Sequence, residues 1–115
     1  MDVESVRNYC IKKMRVTESF PFDDETLVFK VFHKMFCLLN LTPPQSINLK
    51  CDPVKAIELR EEYEGVKPGY HMNKKHWNTI SLLSNIPEDK IFEWINDSYD
   101  LVVSKLPGKM REELS

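Results

Sequence analysis

Leu27-Val28-Phe29-Lys30-Val31-Phe32-His33-Lys34-Met35-Phe36-Cys37-Leu38-Leu39-Asn40-Leu41, broken at Pro43-Pro44 and resumed at Ser46-Ile47-Asn48-Leu49-Lys50, is the stretch that decides the fold. Leu27–Phe32 and Met35–Leu41 are rich in β-branched and aromatic residues and flank His33-Lys34, which predicts a β-hairpin with a tight turn. The turn lacks the Asn-Gly or Gly-Gly that a type I′ geometry prefers. After the prolines, Ile47 and Leu49 alternate with polar neighbours, the pattern of a third strand with one buried and one wet face.

Working outward, Asp2 can cap a first helix whose stripe is Val3, Val6, Cys10 and Met14. Lys12, Lys13 and Arg15 are expected in its last turn, where cations suit the helix dipole. Thr17–Glu25 reads as a loop, because Pro21 keeps Phe20 out of helical conformation. Phe20 and Phe22 are expected to pack back on the core. Downstream, Asp52 and Pro53 open a second helix as N-cap and first residue. Val54, Ile57 and Tyr63 are its expected apolar stripe, and Gly65 its expected C′ glycine. Val66–Met72 and His76–Ser81 are predicted strands, with Asn73-Lys74-Lys75 as the turn between them. Pro87 begins a last helix with Glu88 and Asp89 in its first turn. Ile91, Phe92, Trp94, Ile95, Tyr99, Leu101, Val102, Val103 and Leu106 cover over half its circumference, so it is expected to lie across the sheet. The order is α-βββ-α-ββ-α: a two-layer α+β domain over 1–107 with a largely antiparallel sheet, followed by a flexible tail over 108–115.

At 115 residues the chain is long enough for a core without staples. No apolar run approaches the ~18 residues that span a bilayer, and no basic start leads into an apolar block, so the expected compartment is the cytoplasm. Cys10, Cys37 and Cys51 form no CxxC pair, which argues for small core residues over a zinc or redox motif. The net charge is −2, yet residues 65–80 hold Lys67, Lys74 and Lys75 and no acid. A basic segment on an acidic body points to a polyanionic partner.

The run Gly69-Tyr70-His71-Met72-Asn73-Lys74-Lys75-His76-Trp77-Asn78-Thr79-Ile80 resembles the signature of the MmcQ/YjbR family. So do Phe20-Pro21-Phe22, Val28-Phe29-Lys30-Val31 with Lys34-Met35-Phe36, Asn48-Leu49-Lys50-Cys51-Asp52-Pro53, and Ser98-Tyr99-Asp100-Leu101-Val102-Val103. The resemblance runs in order over residues 1–107. It implies the same α-βββ-α-ββ-α fold, which type III secretion chaperones also show and which is related in outline to CyaY. It also implies a double-wing DNA-binding role. One departure is visible: Phe32-His33 stands where the family often has Gly-Gly before Lys34.

Binding is favoured over catalysis. There is no nucleophile elbow, Gly-rich phosphate loop or HExxH. His71 and His76, five residues apart and without a nearby carboxylate, make a poor zinc set, so no cofactor or metal is expected. The expected contacts to DNA are Lys67, Lys74 and Lys75 on phosphates, with Asn73 or Asn78, Tyr70 and His76 alongside. Trp77 is either core or a stacking residue. The competing reading is a protein- or peptide-binding, chaperone-like module acting through a sheet edge or a dimer interface.

Overall fold

A computed structural model describes residues 1–114. Its elements are α1 (Val3–Ile11), β1 (Val16–Ser19), β2 (Thr26–Val31), β3 (Lys34–Asn40), β4 (Ser46–Lys50), α2 (Pro53–Glu62), β5 (Val66–Pro68), β6 (Trp77–Ser81), α3 (Glu88–Ser104) and α4 (Gly108–Glu112). The strands form one sheet in the order β1-β2-β3-β4-β6-β5, and every neighbouring pair is antiparallel. The α+β class and the helix-and-strand order therefore hold, with one more strand ahead of α2 and a short helix after α3.

The local signals behind this order are visible in the caps. Asp2 accepts from the Ser5 N–H, and Asp52 accepts from the Val54 and Lys55 N–H groups ahead of Pro53. Helices α1, α2 and α3 pack on the same side of the sheet, with α3 across β3 and β4. The core between the layers holds Val6, Cys10, Phe29, Val31, Phe36, Cys37, Leu39, Ile47, Ile80 and Ile95. Helix α3 is pinned to the sheet by buried Ser98, whose hydroxyl donates to the Phe36 carbonyl at 2.6 Å and accepts from the Lys50 N–H at 2.9 Å. Phe36 is the residue skipped where the β2–β3 register shifts, so Ser98 satisfies backbone that the bulge leaves free.

Several local expectations give way. Residues 16–19, overlapping the start of the loop expected over Thr17–Glu25, form β1, paired with β2 and held to α1 by Arg7, whose guanidinium meets the Glu18 carboxylate at 2.6 Å. Phe20 and Phe22 are exposed instead of packed on the core. Helix α1 stops at Ile11, so Met14, Lys12, Lys13 and Arg15 lie beyond it, and Lys13 donates to Asn96 between the Tyr9 and Tyr99 rings. On α2, Val54 and Ile57 are exposed while Ala56 and Leu59 are buried. Gly65 has no left-handed backbone. It is required because an added Cβ would stand 2.4 Å from Ser84 Oγ. The β2–β3 turn is Phe32-His33, one residue earlier than expected, with φ of 46° and 68°. Both are the left-handed values a type I′ hairpin demands and that glycine would adopt without strain. The expected tail is helical over Gly108–Glu112, and Ser115 lies outside the described residues.

Candidate nucleic-acid interface

Among the described residues no helix covers the second face of the sheet. Its side chains follow from the register: Thr79 sits opposite Asn48 and Lys67, Lys50 opposite Trp77, and Lys30 opposite Met35. In the middle lies a small apolar cluster of Val28, Leu38 and Trp77, flanked by Met35 and Met72. Trp77 is 8% exposed, so the structure makes it a packing residue of this second cluster.

The two strands expected from residues 66–81 are shorter than predicted. Strand β5 is three residues long and ends at Pro68, and residues 69–76 form a structured connection instead of a tight turn. Its geometry is closed by its own hydrogen bonds. The Gly69 N–H donates to the Trp77 carbonyl at 2.9 Å, the Trp77 N–H to the Asn73 carbonyl at 3.0 Å, and the Tyr70 N–H to Thr79 Oγ1 at 2.9 Å. Gly69 is needed here, since a Cβ would approach the Trp77 Cβ to 2.8 Å.

Arg60, on α2, clamps this loop from behind. Its Nε donates to Asn78 Oδ1 at 2.7 Å, and its Nη2 donates to the carbonyls of Lys74 and Trp77. Asn78 is 1% exposed and also donates to the Ala56 carbonyl, which removes it from any contact surface. Asn73 is exposed, and its Oδ1 accepts the Lys75 N–H at 2.9 Å. The remaining expected residues come together on or beside the loop. Tyr70 is 69% exposed, with its ring 4.0 Å from that of His71. Lys67, Lys74 and Lys75 are exposed, and the Lys74 ammonium donates to the Gly69 carbonyl at 3.2 Å. His76 is half-buried, and its carbonyl accepts from the Cys51 N–H at 2.7 Å.

Two further lysines belong to the same surface. Lys30 and Lys50 occupy its outward strand positions, whereas Lys34, which begins β3 opposite the core residue Val31, lies on the helix side. The Lys50 ammonium is held below its ordinary range by partial burial first, then by the nearby charges of Lys105 and Lys34. Among the described residues the ion pairs are Arg7–Glu18, Lys55–Asp97 and Lys90–Glu93, so none of the five lysines of this surface is tied to a carboxylate.

The YjbR family model matches residues 11–101. This chain belongs to the YjbR family. It is 39% identical to the uncharacterised YbdF of Escherichia coli over 104 residues, 90% of this chain and 85% of that protein. It is 29% identical to YjbR of Escherichia coli over 115 residues, 99% of this chain and 98% of that one. In structure it is similar to a crystal structure from Deinococcus radiodurans, with a TM-score of 0.91 and 39% identity, covering 97% of this chain and 86% of that one. A Pseudomonas syringae protein superposes with a TM-score of 0.78 at 28% identity, covering 88% and 98%. For this YjbR chain, Arg60, Lys30 and Lys50 are the residues of this candidate surface that sequence reasoning missed. The signal available for Lys30 and Lys50 was their place at polar positions of alternating strands. Arg60 gave none. No helix among the described residues is long and apolar enough to cross a membrane.

Proposed function

We propose that this YjbR-family chain binds DNA, with the open sheet face and the 69–76 loop as its contact surface, and that it acts by binding rather than catalysis. One observation carries the reading: five lysines gather on this face and its loop without a carboxylate partner, on a chain that is net acidic. Ammonium groups in that state are available to phosphates at no cost of breaking internal ion pairs. The rigid loop supports the same conclusion, since Lys74 and Lys75 are presented by backbone already fixed through Arg60. The sheet-edge alternative has less support. The edge strands are four and three residues long, and Pro68 lacks the N–H a docking strand would need.

The test is fluorescence anisotropy with labelled single-stranded and duplex DNA over a salt series. Affinity is expected to fall linearly with salt on a double-logarithmic plot. Lys74→Glu with Lys75→Glu should lower that slope by about 1–2 and leave the thermal melt within about 0.5 kcal/mol of wild type. A flat salt response, no binding at low salt, or unchanged binding by the double variant would refute the reading.

A further inference from the structure

Between the Phe22–Thr26 side and the Tyr70–Met72 side of the open face lies a concave pocket of about 560 Å³, within the ordinary range for small-ligand sites. Its lining is mainly apolar, with Asp23, Asn40, Asn48 and Thr79 among its polar groups, and the hydrogen bonding of the two asparagines is partly used. Asn48 Oδ1 accepts from the Thr79 hydroxyl, and Asn40 Oδ1 accepts from the Thr42 N–H at 3.2 Å. Each amide oxygen therefore holds one hydrogen bond, while among the described residues neither amide NH₂ has a partner. Asn40 pairs with Ser46 and Leu38 with Asn48, so the two amides are diagonal neighbours on one face, about 7–8 Å apart at Cα. The floor thus offers donors, set a few ångströms apart, to a ligand that brings acceptors on an edge.

The walls ask for something flat. Phe22 and Tyr70 line the pocket as exposed rings, and Tyr70 is backed by His71. Exposed rings at a pocket mouth, with donors below and a thioether from Met35 alongside, suit a planar heteroaromatic group that stacks and accepts hydrogen bonds. The Lys74 ammonium sits on the carbonyl of Gly69, the residue next to Tyr70, so a cation stands beside the pocket wall. A planar base on donors and rings, attached to an anion, is the chemistry of a nucleotide.

We propose that this pocket receives an unpaired nucleobase, with Asn40 and Asn48 donating to its acceptor edge and Tyr70 and Phe22 stacking on it. The strand form of this inference rests on the DNA reading above, since the phosphates flanking the inserted base would lie against Lys74 and Lys75. A base inside a duplex cannot reach the floor, so the full chain should prefer single-stranded to duplex DNA.

The experiment compares three probes on the full-length protein: oligothymidine, a strand of the same length lacking bases, and free thymidine. Oligothymidine should bind at least about five-fold tighter than the abasic strand, the low end for one stacked base. Tyr70→Ala and Phe22→Ala, both at exposed positions, should erase that ratio without changing the melt. Thymidine should shift the side-chain amide resonances of Asn40 and Asn48. Equal binding of intact and abasic strands, both weakened by Lys74→Glu with Lys75→Glu, together with no thymidine shifts, would overturn the pocket and leave the phosphate reading standing. Thymidine shifts without strand binding would uphold the pocket and overturn the phosphate reading. No response to any of the three probes would overturn both.

Discussion

Replacing Arg60 by Ala is expected to loosen the lysine-bearing loop and to lower global stability by about 1–3 kcal/mol. The magnitude follows from what each of its three acceptors has left. The Trp77 carbonyl keeps the Gly69 N–H, and the Lys74 carbonyl belongs to an exposed residue where water can replace the guanidinium. Only Asn78 Oδ1, on a residue 1% exposed, is orphaned in the core. Adding three charge-assisted bonds at about 1.5–3 kcal/mol each would overstate the loss, because two of the acceptors are not left bare. Arg60→Lys should behave like the alanine variant at the loop, since one ammonium cannot span acceptors that a planar fork reaches together. Urea denaturation gives the stability, and amide exchange over residues 73–77 gives the local opening. A cycle with Asn78→Ala should show coupling of about 0.5 kcal/mol or more. A loss below about 0.5 kcal/mol, additive behaviour or unchanged exchange in the loop would refute the clamp.

Gly65→Ala should cost about 1–3 kcal/mol, because the new Cβ meets Ser84 Oγ at 2.4 Å and Ser84 Cβ at 2.6 Å. Adding Ser84→Gly should restore part of that loss in a thermal melt, and a neutral single variant would contradict the steric account. The Cys37 thiol is pushed well above its ordinary range by its hydrogen bond with the Cys10 thiol, then by complete burial. The folded state therefore keeps a proton that the unfolded chain gives up. This contribution is intact below about pH 8.5 and is lost as pH rises toward the native value, by up to about 1.4 kcal/mol per pH unit. Urea midpoints at about pH 7 and about pH 10 should fall more steeply for wild type than for Cys37→Ala. That comparison cancels Lys13 and Lys50, whose ammonium forms burial disfavours and whose effect runs the other way. Parallel pH slopes would refute the assignment.

What the sequence discloses here is what nearest neighbours determine. Asp2 and Asp52-Pro53 cap because a short side-chain oxygen reaches N–H groups two or three residues on. Strands β2, β3 and β4 show because their apolar runs are long enough to carry a pattern. Strand β1 does not, because Val16-Thr17-Glu18-Ser19 owes its conformation to pairing with β2 and to Arg7 on α1, both distant in sequence. On α2 the hydrophobic reading misplaces the buried face. Val54 and Ile57 face outward, because the phase is set by packing of Ala56 and Leu59 and by Arg60 aimed at the loop behind it. The turn at Phe32-His33 kept the left-handed geometry of a glycine pair without the glycines, which no propensity would predict. Arg60 is the extreme case: its role exists only once α2 stands against the β5–β6 loop.

The composition of the open face bears on which partner it can meet. A second layer of helix or sheet would need continuous apolar area there to offset the ordering it demands. The outward strand positions beyond the central cluster are polar, among them Thr26, Lys30, Asn40, Asn48, Lys50, Lys67 and Thr79, and apart from the exposed Phe22 and Tyr70 rings the apolar side chains of this face are packed around Trp77. A second copy laid face to face would bring like charges together and remove lysines from water unpaired, at a desolvation cost of several kcal/mol per ion. A polyanion meets the same surface with the opposite balance: each ammonium gains a phosphate, condensed counterions are released, and the amides and rings stay free for bases. Under the DNA-binding proposal, that difference in sign, not the shape of the sheet, is what would favour nucleic acid over self-association at this face in moderate salt.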